Sequence, residues 1–255
     1  MLFSGIFDGQ GYTISGLTYS SAAYVGLFGY NSGTIRNLNI TNFNVQYTSS
    51  PSSEMRVGCI AGYNNGTIES CTVDGNIVAS INGIAMRFGL IAGENKGIIS
   101  NVSVKGNLNV KGSIGGQNNS FTIGGITGRN YGKIQGVFIK ATVYAKNSNI
   151  NVNTNGQVAF IAGINGSGGT IDACVIMGTC SKEGDTSMQD VCCSNSGTFL
   201  NCYKLSSVTT GSQATSVSNI SSSTFYEITL KWSREKWNYE NVDIENGKYP
   251  TPVQD

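Results

Sequence analysis

The stretch Ile60–Ile68 reads IAGYNNGTI, and the chain returns to this phrase about six times. Close copies occupy residues 27–35, 91–99 and 126–134, a copy with two inserted residues begins at Ile161, and a degenerate copy covers 193–199. The first glycine of the phrase stands at positions 29, 62, 93, 128 and 163, so successive copies lie 31 to 35 residues apart. A near-constant period of this length is typical of solenoid proteins, in which each repeat packs on the next.

The residues downstream of the phrase alternate in polarity. In the run 71–79, small or apolar side chains fall on one parity, and Thr72, Asp74 and Asn76 fall on the other. This period of two indicates β-strands. The fifth residue of each run is small: Gly75, Gly106, Ala141 and Gly178. A small residue there predicts that the strand bends around a corner, which gives roughly three short strands per repeat.

The predicted fold is all-β, a single parallel β-helix of about six turns with an irregular aromatic C-terminal cap. Stacking is required because one repeat cannot bury its inward face alone, whereas stacked strands pair at about 4.8 Å. Residues 1–205 are predicted to form the repeats, 206–224 a Ser/Thr-rich connection and 225–255 the cap. The cap contains both tryptophans, and we expect it to cover an open end of the solenoid.

Two polar positions of the phrase are predicted to be structural. An asparagine occurs in every copy, as Asn31, Asn64, Asn95, Asn130, Asn165 and Asn195. Amides stacked at one bend form a ladder of hydrogen bonds from turn to turn, and six copies are redundant for an active site. The glycine two residues later, for example Gly66, is expected to supply a positive φ in the bend.

The seven cysteines are mostly predicted to be core residues. Cys71, Cys174 and Cys202 occupy the inward slot that Val102 and Val137 hold in other repeats, and Cys180 occupies the slot of Leu108. Small buried thiols behave there as hydrophobic side chains. The pair Cys192 and Cys193 leaves a bridge or a soft-metal site open, although the spacing of zinc ligands is absent.

Composition limits the classes of function. The net charge is +1 and the charged residues form no basic stripe, which argues against nucleic-acid binding. No apolar run of 18 residues is present, so no membrane insertion is expected. The start of the chain has no signal-peptide pattern and enters in the middle of a repeat-like phrase. We therefore expect a fragment of a longer, exported chain.

The run Gly26-Leu27-Phe28-Gly29 resembles the GLUG motif, and the whole repeat is similar to the GLUG repeats of bacterial surface and secreted proteins. Residues 3–17 resemble the entry phrase of such arrays, and residues 230–250 their closing segment. The resemblance implies an extracellular or cell-surface β-helix that is often adhesin-like and sometimes an accessory region beside a peptidase. It brings no catalytic residues.

Catalytic chemistry finds little support in the sequence. The chain has no histidine, which removes the commonest general base and most metal sites, and we predict no enzyme activity, cofactor or metal. The acidic residues fall at different offsets of the repeat. Glu69 and Asp172 share an offset but lie three turns apart, about 14 Å, which is too far for paired carboxylates. Asp8 is interpreted as a turn residue.

A binding module is the favoured function, with a substrate-positioning region of a larger secreted peptidase or polysaccharide-active enzyme as the alternative. The ligand is expected to be a host or bacterial surface glycan or protein, and the module to be monomeric. Four variable connections are predicted to stack into one polar patch: Gln46–Arg56, Ser80–Arg87, Lys111–Thr122 and Lys146–Gln157. Trp232 and Trp237 offer a second candidate surface, because exposed rings stack on sugars.

Overall fold

The computed structural model of the chain is a parallel β-solenoid, as predicted. It describes residues 2–20, 23–47, 54–83, 85–114, 121–147, 156–184 and 186–254. Copies of the repeated phrase pair in parallel and in register, so that Ala61 lies beside Ala92 and Ala92 beside Thr127. Each level of the described stack contributes to three sheets that surround one hydrophobic core.

The three sheets follow each other around every turn. The first contains Leu2–Phe3, Phe28–Asn31, Ala61–Asn64, Ala92–Asn95, Thr127–Asn130, Ala162–Asn165 and Cys192–Asn195. The second contains Ile6–Asp8, Thr13–Ser15, Thr18–Tyr19, Thr34–Arg36, Asn39–Tyr47, Thr67–Gly83, Ile98–Ile114, Lys133–Asn147, Thr170–Gly184, Thr198–Leu205 and Thr215–Val217. The third contains Tyr24–Val25, Met55–Val57, Met86–Phe88, Phe121–Gly124, Gly156–Ala159 and Thr186–Met188.

Six levels of the third sheet match the six predicted turns, and they are separated by five steps along the axis. A partial turn, Leu2–Tyr19, precedes them. The degenerate sixth copy keeps the register, because Cys192 pairs with Ala162 and Asn195 with Asn165. After the solenoid come a short π-helical turn, Phe225–Thr229, and one antiparallel pair, Trp237–Asn238 with Thr251–Pro252.

The predicted corner at the small residue of the second sheet coincides with irregular backbone, since Gly106 and Gly178 have φ of 143° and 106° and the register shifts between Val73 and Gly75. Residues Thr67–Gly83 form one strand that passes through Gly75, and Ile98–Ile114 passes likewise through Gly106. A second irregular position recurs earlier in each level as a left-handed residue: Asn37, Ser70, Asn101, Gly136, Ala173 and Asn201, with φ between 49° and 62°. Asparagine and glycine adopt this conformation readily, but serine and alanine give no such signal in a sequence.

The aliphatic residue that opens each of the first five copies of the phrase packs into or against the core. Ile60, Ile91, Ile126 and Ile161 are fully buried, whereas Leu27 at the first level is only partly buried. The cysteine slots are confirmed, since Cys71 pairs with Val102 and Cys174 with both Val137 and Cys202. All seven cysteines are free thiols, so Cys192 and Cys193 form no bridge. No metal-binding group of side chains occurs within the described residues.

The predicted asparagine ladder is present at the bend between the first and second sheets. Each amide nitrogen donates to the amide oxygen of the asparagine one turn further on, from Asn31 to Asn195, at 2.7 to 2.9 Å. The first five amides are fully buried. The same nitrogens approach backbone carbonyls at the corner, for example Asn64 Nδ2 to Gly66 O at 3.3 Å. The ladder therefore satisfies the polar groups of a buried bend.

The expectation of a positive φ at the phrase's second glycine is wrong. Neither Gly66 nor Gly97 has a φ in the left-handed region. The backbones of successive turns instead come too close for a side chain. A Cβ on Gly66 would lie 2.0 Å from the carbonyl oxygen of Gly33, and one on Gly97 1.9 Å from that of Gly66. Glycine is required here by contact between turns.

The open C-terminal end of the stack is covered by residues from the Ser/Thr-rich connection. The side chain of Gln213 accepts hydrogen bonds from Val191 N and Cys192 N and donates to Cys192 O, at 2.8 to 3.2 Å. It thereby takes the place of a further strand. Fully buried Asp190 pairs with Lys204 at 3.1 Å and accepts from the backbone of Gln213 at 3.0 Å.

The aromatic segment lies along the flank of the solenoid, so the prediction that it covers an end is wrong. Trp232 donates to the carbonyl of Ala173 at 3.2 Å, and Trp237 donates to the side chain of Asn101 at 3.1 Å. Gln254 exchanges two hydrogen bonds with Asn39, at 2.9 and 3.0 Å. The segment therefore runs back from the fifth level to the first. It buries outward-facing apolar side chains of the second sheet: Phe138, Val175 and Met177.

Candidate binding site

Two rows of outward side chains meet where the third sheet passes into the first. In the first sheet, Tyr30, Tyr63, Glu94 and Arg129 stand at equivalent positions of successive levels. In the third sheet, Tyr24, Arg56 and Arg87 do the same. We call these seven residues, together with Glu54, the Arg-Tyr strip. The register of the strands places its charged and aromatic groups side by side.

Glu94 is the centre of an ion-pair network in the strip. Its carboxylate accepts from Arg56 Nε at 2.9 Å and from Arg87 Nη1, and its side chain is 5% exposed. Glu54 bridges the same two guanidinium groups, at 2.7 Å from Arg56 and 3.2 Å from Arg87. Burial acts to raise the pKa of Glu94, but the hydrogen bond from Arg56 and the charges of both arginines outweigh it and lower that pKa. Glu94 is therefore held as a carboxylate.

Arg129 differs from the other two arginines. It is the neighbour of Glu94 in the ladder, yet its guanidinium makes no ion pair with any described carboxylate. Its Nε is buried and has no hydrogen-bond partner in the part of the chain that the structure describes, and the same holds for Nε of Arg87. Burial, followed by the charge of Arg87, lowers the pKa of Arg129. An arginine nevertheless stays protonated at physiological pH, so the strip holds one uncompensated positive charge.

Aromatic rings line the strip towards its N-terminal end. Tyr30 and Tyr63 stack with ring centres 4.6 Å apart. The Arg56 guanidinium lies 5.0 Å from the ring centre of Tyr24 and 5.6 Å from that of Tyr63. At the neighbouring corner, Lys96 Nζ lies 5.9 Å from the ring centre of Tyr63 and 5.8 Å from that of Tyr131. Cations close to ring faces keep both groups in place.

The sequence predicts a patch built from four variable connections, and the structure describes only the ends of these connections. Residues 48–53, 84, 115–120 and 148–155 lie outside the described residues. The last residues of the four connections do stack in register: Arg56, Arg87, Thr122 and Gln157. Two of these four belong to the Arg-Tyr strip. The loops themselves stay a prediction.

The tryptophans are not an exposed sugar platform. Trp232 and Trp237 are 5% and 2% exposed and stack on each other with ring centres 4.0 Å apart. Their indole nitrogens donate to the solenoid flank. The interpretation of these residues as structural is therefore confirmed, with the flank as the partner.

The carboxylates fall into two groups. Glu69 and Asp172 are separated by three levels of register, as predicted, and Asp8 accepts from Gln10 N within its own turn at 3.0 Å. Glu54 and Glu94, in contrast, meet through their shared arginines, although they stand at different offsets of the repeat. The sequence analysis did not predict this proximity of Glu54 and Glu94, because the strands of the third sheet carry no recognisable repeated motif.

No helix within the described residues is long and apolar enough to cross a membrane. Comparison of the chain with models of protein families, with curated proteins and with solved structures finds no match.

Proposed function

We propose that the chain is a non-catalytic adhesive module of an exported bacterial protein, in line with the GLUG repeats that it resembles. The Arg-Tyr strip carries the proposal. It holds Arg129, which forms no ion pair with a described carboxylate, and the partly exposed Tyr30 in fixed rows on the outside of a hydrogen-bonded stack. Side chains fixed by packing and neighbours recognise a ligand with little loss of entropy.

The charged residues of the strip are poorly suited to acid–base catalysis. A glycosidase needs a carboxylic acid that holds a proton near neutral pH. Glu94 has the opposite property, since Arg56 and Arg87 lower its pKa. Glu54 is tied to the same two arginines. Both carboxylates therefore serve to position guanidinium groups.

The two ends of the described chain lie close to each other. Asn39 donates to Gly11 O at 2.8 Å and to Gln254 at 2.9 Å, so the beginning and the end of the described chain meet at one end of the solenoid. The other end is closed by Gln213 and its neighbours.

The test combines binding with turnover. The purified chain is applied to arrays of bacterial and host surface glycans and proteins, and is incubated with polygalacturonate, other uronans and casein. We expect binding to at least one class of array ligand and no cleavage. Reproducible cleavage that disappears in Glu94→Gln or Glu54→Gln would contradict the proposed function.

A further inference from the structure

We propose that the Arg-Tyr strip binds acidic polysaccharides, with the carboxylate of a uronic acid at Arg129 and neighbouring sugar rings against the tyrosines. This inference rests on the proposed function as a binding module and names its ligand class. The strip runs along the solenoid axis from Tyr30 through Tyr63 and Glu94 to Arg129. An extended chain ligand fits a linear array of this kind better than a compact one does.

Charge complementarity supports an anionic ligand. The strip contains three arginines and two glutamates, and both glutamates are bound to Arg56 and Arg87. The charge of Arg129 is left without a carboxylate among the described residues, and exposed Lys96 adds a second positive charge at the adjoining corner. A desolvated, unpaired guanidinium gains more from an incoming carboxylate than a solvated one does.

The geometry around Arg129 is prepared before any ligand arrives. Arg87 stands one level away in the adjoining row, is 8% exposed, and is fixed by Glu54 and Glu94. The burial of Arg129 and the nearby charge of Arg87 make Arg129 an unfavourable cation as long as it has no partner. The buried Nε atoms of Arg87 and Arg129 are unused donors at this place. An anion beside the partly exposed side chain of Arg129 would supply the opposite charge that this cation lacks among the described residues.

The tyrosines favour a glycan over an acidic peptide. Tyr24, Tyr30 and Tyr63 line the same strip and are at least partly exposed. A further ring, that of Tyr131, lies against Gly166, where a Cβ would come within 2.2 Å of the ring. Flat ring surfaces beside charged groups suit sugars, which present both C–H faces and hydroxyl groups. A peptide of acidic residues would bind the arginine but would make no stacking contact with the tyrosine rings.

The experiment is a titration of the whole chain at low salt with three probes: oligogalacturonate, its methyl ester and poly-glutamate of similar length. The ester keeps the sugar rings and removes the charge. Three variants are compared with the unchanged chain. Arg129→Gln removes the unpaired charge, and Arg234→Gln removes an exposed arginine in the C-terminal segment that is paired with Glu227 and Glu240. A third variant, Tyr63→Leu, removes one ring.

We expect oligogalacturonate to bind and the methyl ester to bind about tenfold more weakly, as the loss of one charge-assisted contact requires. Arg129→Gln should weaken binding by about tenfold with an unchanged melting temperature, since no ion pair is lost. Arg234→Gln should bind within about twofold of the unchanged chain. Tyr63→Leu should weaken the binding of oligogalacturonate more than the binding of poly-glutamate.

Several outcomes would overturn the inference: no binding of oligogalacturonate, equal binding of its ester, or equal binding by Arg129→Gln. Poly-glutamate binding as tightly as the sugar would assign the strip to acidic peptides instead. The two proposals fail separately. A ligand on the arrays without uronan binding refutes this inference alone, whereas cleavage of bound oligogalacturonate refutes the proposed function and leaves the Arg129 contact supported.

Discussion

At the scale of single residues, close contact between turns decides which positions are fixed. In five of the six copies the second glycine of the phrase lies directly over the carbonyl of a glycine one turn below. A pattern of recurring glycines is visible in the sequence, but the sequence does not distinguish a conformational need from a steric one. The distinction matters because the two reasons predict different effects of alanine.

Gly97→Ala should destabilise the protein by about 1–3 kcal/mol or more, because its Cβ would lie 1.9 Å from a backbone oxygen that has no free space to move into. Gly5→Ala is the matched control, since its nearest contacts are ring carbons of Phe3 at 3.7 Å. Free energies of unfolding from denaturant melts give the comparison. Equal stability of the two variants would contradict the steric explanation.

Ile126→Ala should cost about 2–5 kcal/mol through lost burial and a cavity. The residue is fully buried in the stack of isoleucines, whereas Ile98 on the outward face is 40% exposed. Ile98→Ala should therefore change stability by less than about 0.5 kcal/mol. A change this small at Ile126, measured in the same melts, would show that the assigned core is wrong.

Glu94 should make stability depend on pH in the acid range. Its pKa in the folded protein is lowered from 4.5, so its contribution is fully present above that value and is lost as the pH falls through the lower, folded-state pKa. At pH 7 the free energy of unfolding of Glu94→Gln should be about 3 kcal/mol lower than that of the unchanged chain, because Arg56 and Arg87 lose their shared partner. This difference should become smaller as the pH falls.

Melts from pH 7 down to pH 3 measure this difference. Glu183→Gln is the control, because its ion pair with Lys146 is exposed and is worth little. A parallel fall of stability with pH in Glu94→Gln and the unchanged chain would exclude Glu94 as the titrating group.

At the scale of elements, the stacked strands were predictable and the two closing segments were not. The period, the alternation and the asparagines of the phrase determine the stack, because they repeat in every turn. The closing segments occur once and follow no pattern. The aromatic segment packs on Phe138 and Val175, which are apolar residues on the outward parity, and such residues are the one signal of its position that the sequence contains. The Arg-Tyr strip was also not predicted, because it combines residues from two sheets whose relative position the repeat pattern does not give.

Trp237→Ala should destabilise the protein by about 3–5 kcal/mol, because the ring is buried against Trp232 and its nitrogen donates to Asn101. Ile228→Ala in the same segment should be nearly neutral, since Ile228 is 70% exposed. Limited proteolysis, read out by mass spectrometry, should show cleavage within residues 225–254 first in Trp237→Ala. Cleavage within the strands first would argue against the flank contact.

At the scale of the whole molecule, the C-terminal segment connects levels that otherwise touch only their neighbours. A solenoid behaves nearly as a one-dimensional array, in which turns can unfold in succession. The contacts of Trp232 with Ala173 and of Gln254 with Asn39 join the fifth level to the first. This long-range connection makes partial unfolding less favourable.

A chain that ends at residue 224 should therefore unfold less cooperatively. We expect a smaller denaturant dependence of the unfolding free energy than in the complete chain, or two resolved transitions, because terminal turns melt first. Circular dichroism and intrinsic tyrosine fluorescence, followed together, test this expectation. A single transition with coincident probes and an unchanged slope per residue would refute the coupling.

The asparagine ladder also gives the stack an electrical direction. All five amide contacts point the same way, and Gly33 N donates to Asn31 Oδ1 at 3.0 Å, which fixes the sense of the first member. The amide dipoles therefore add along the axis and polarise one another in a buried environment. The positive end falls at Asn195, which is exposed. The ladder thus separates partial charge along the core without leaving a buried donor unpaired at either end.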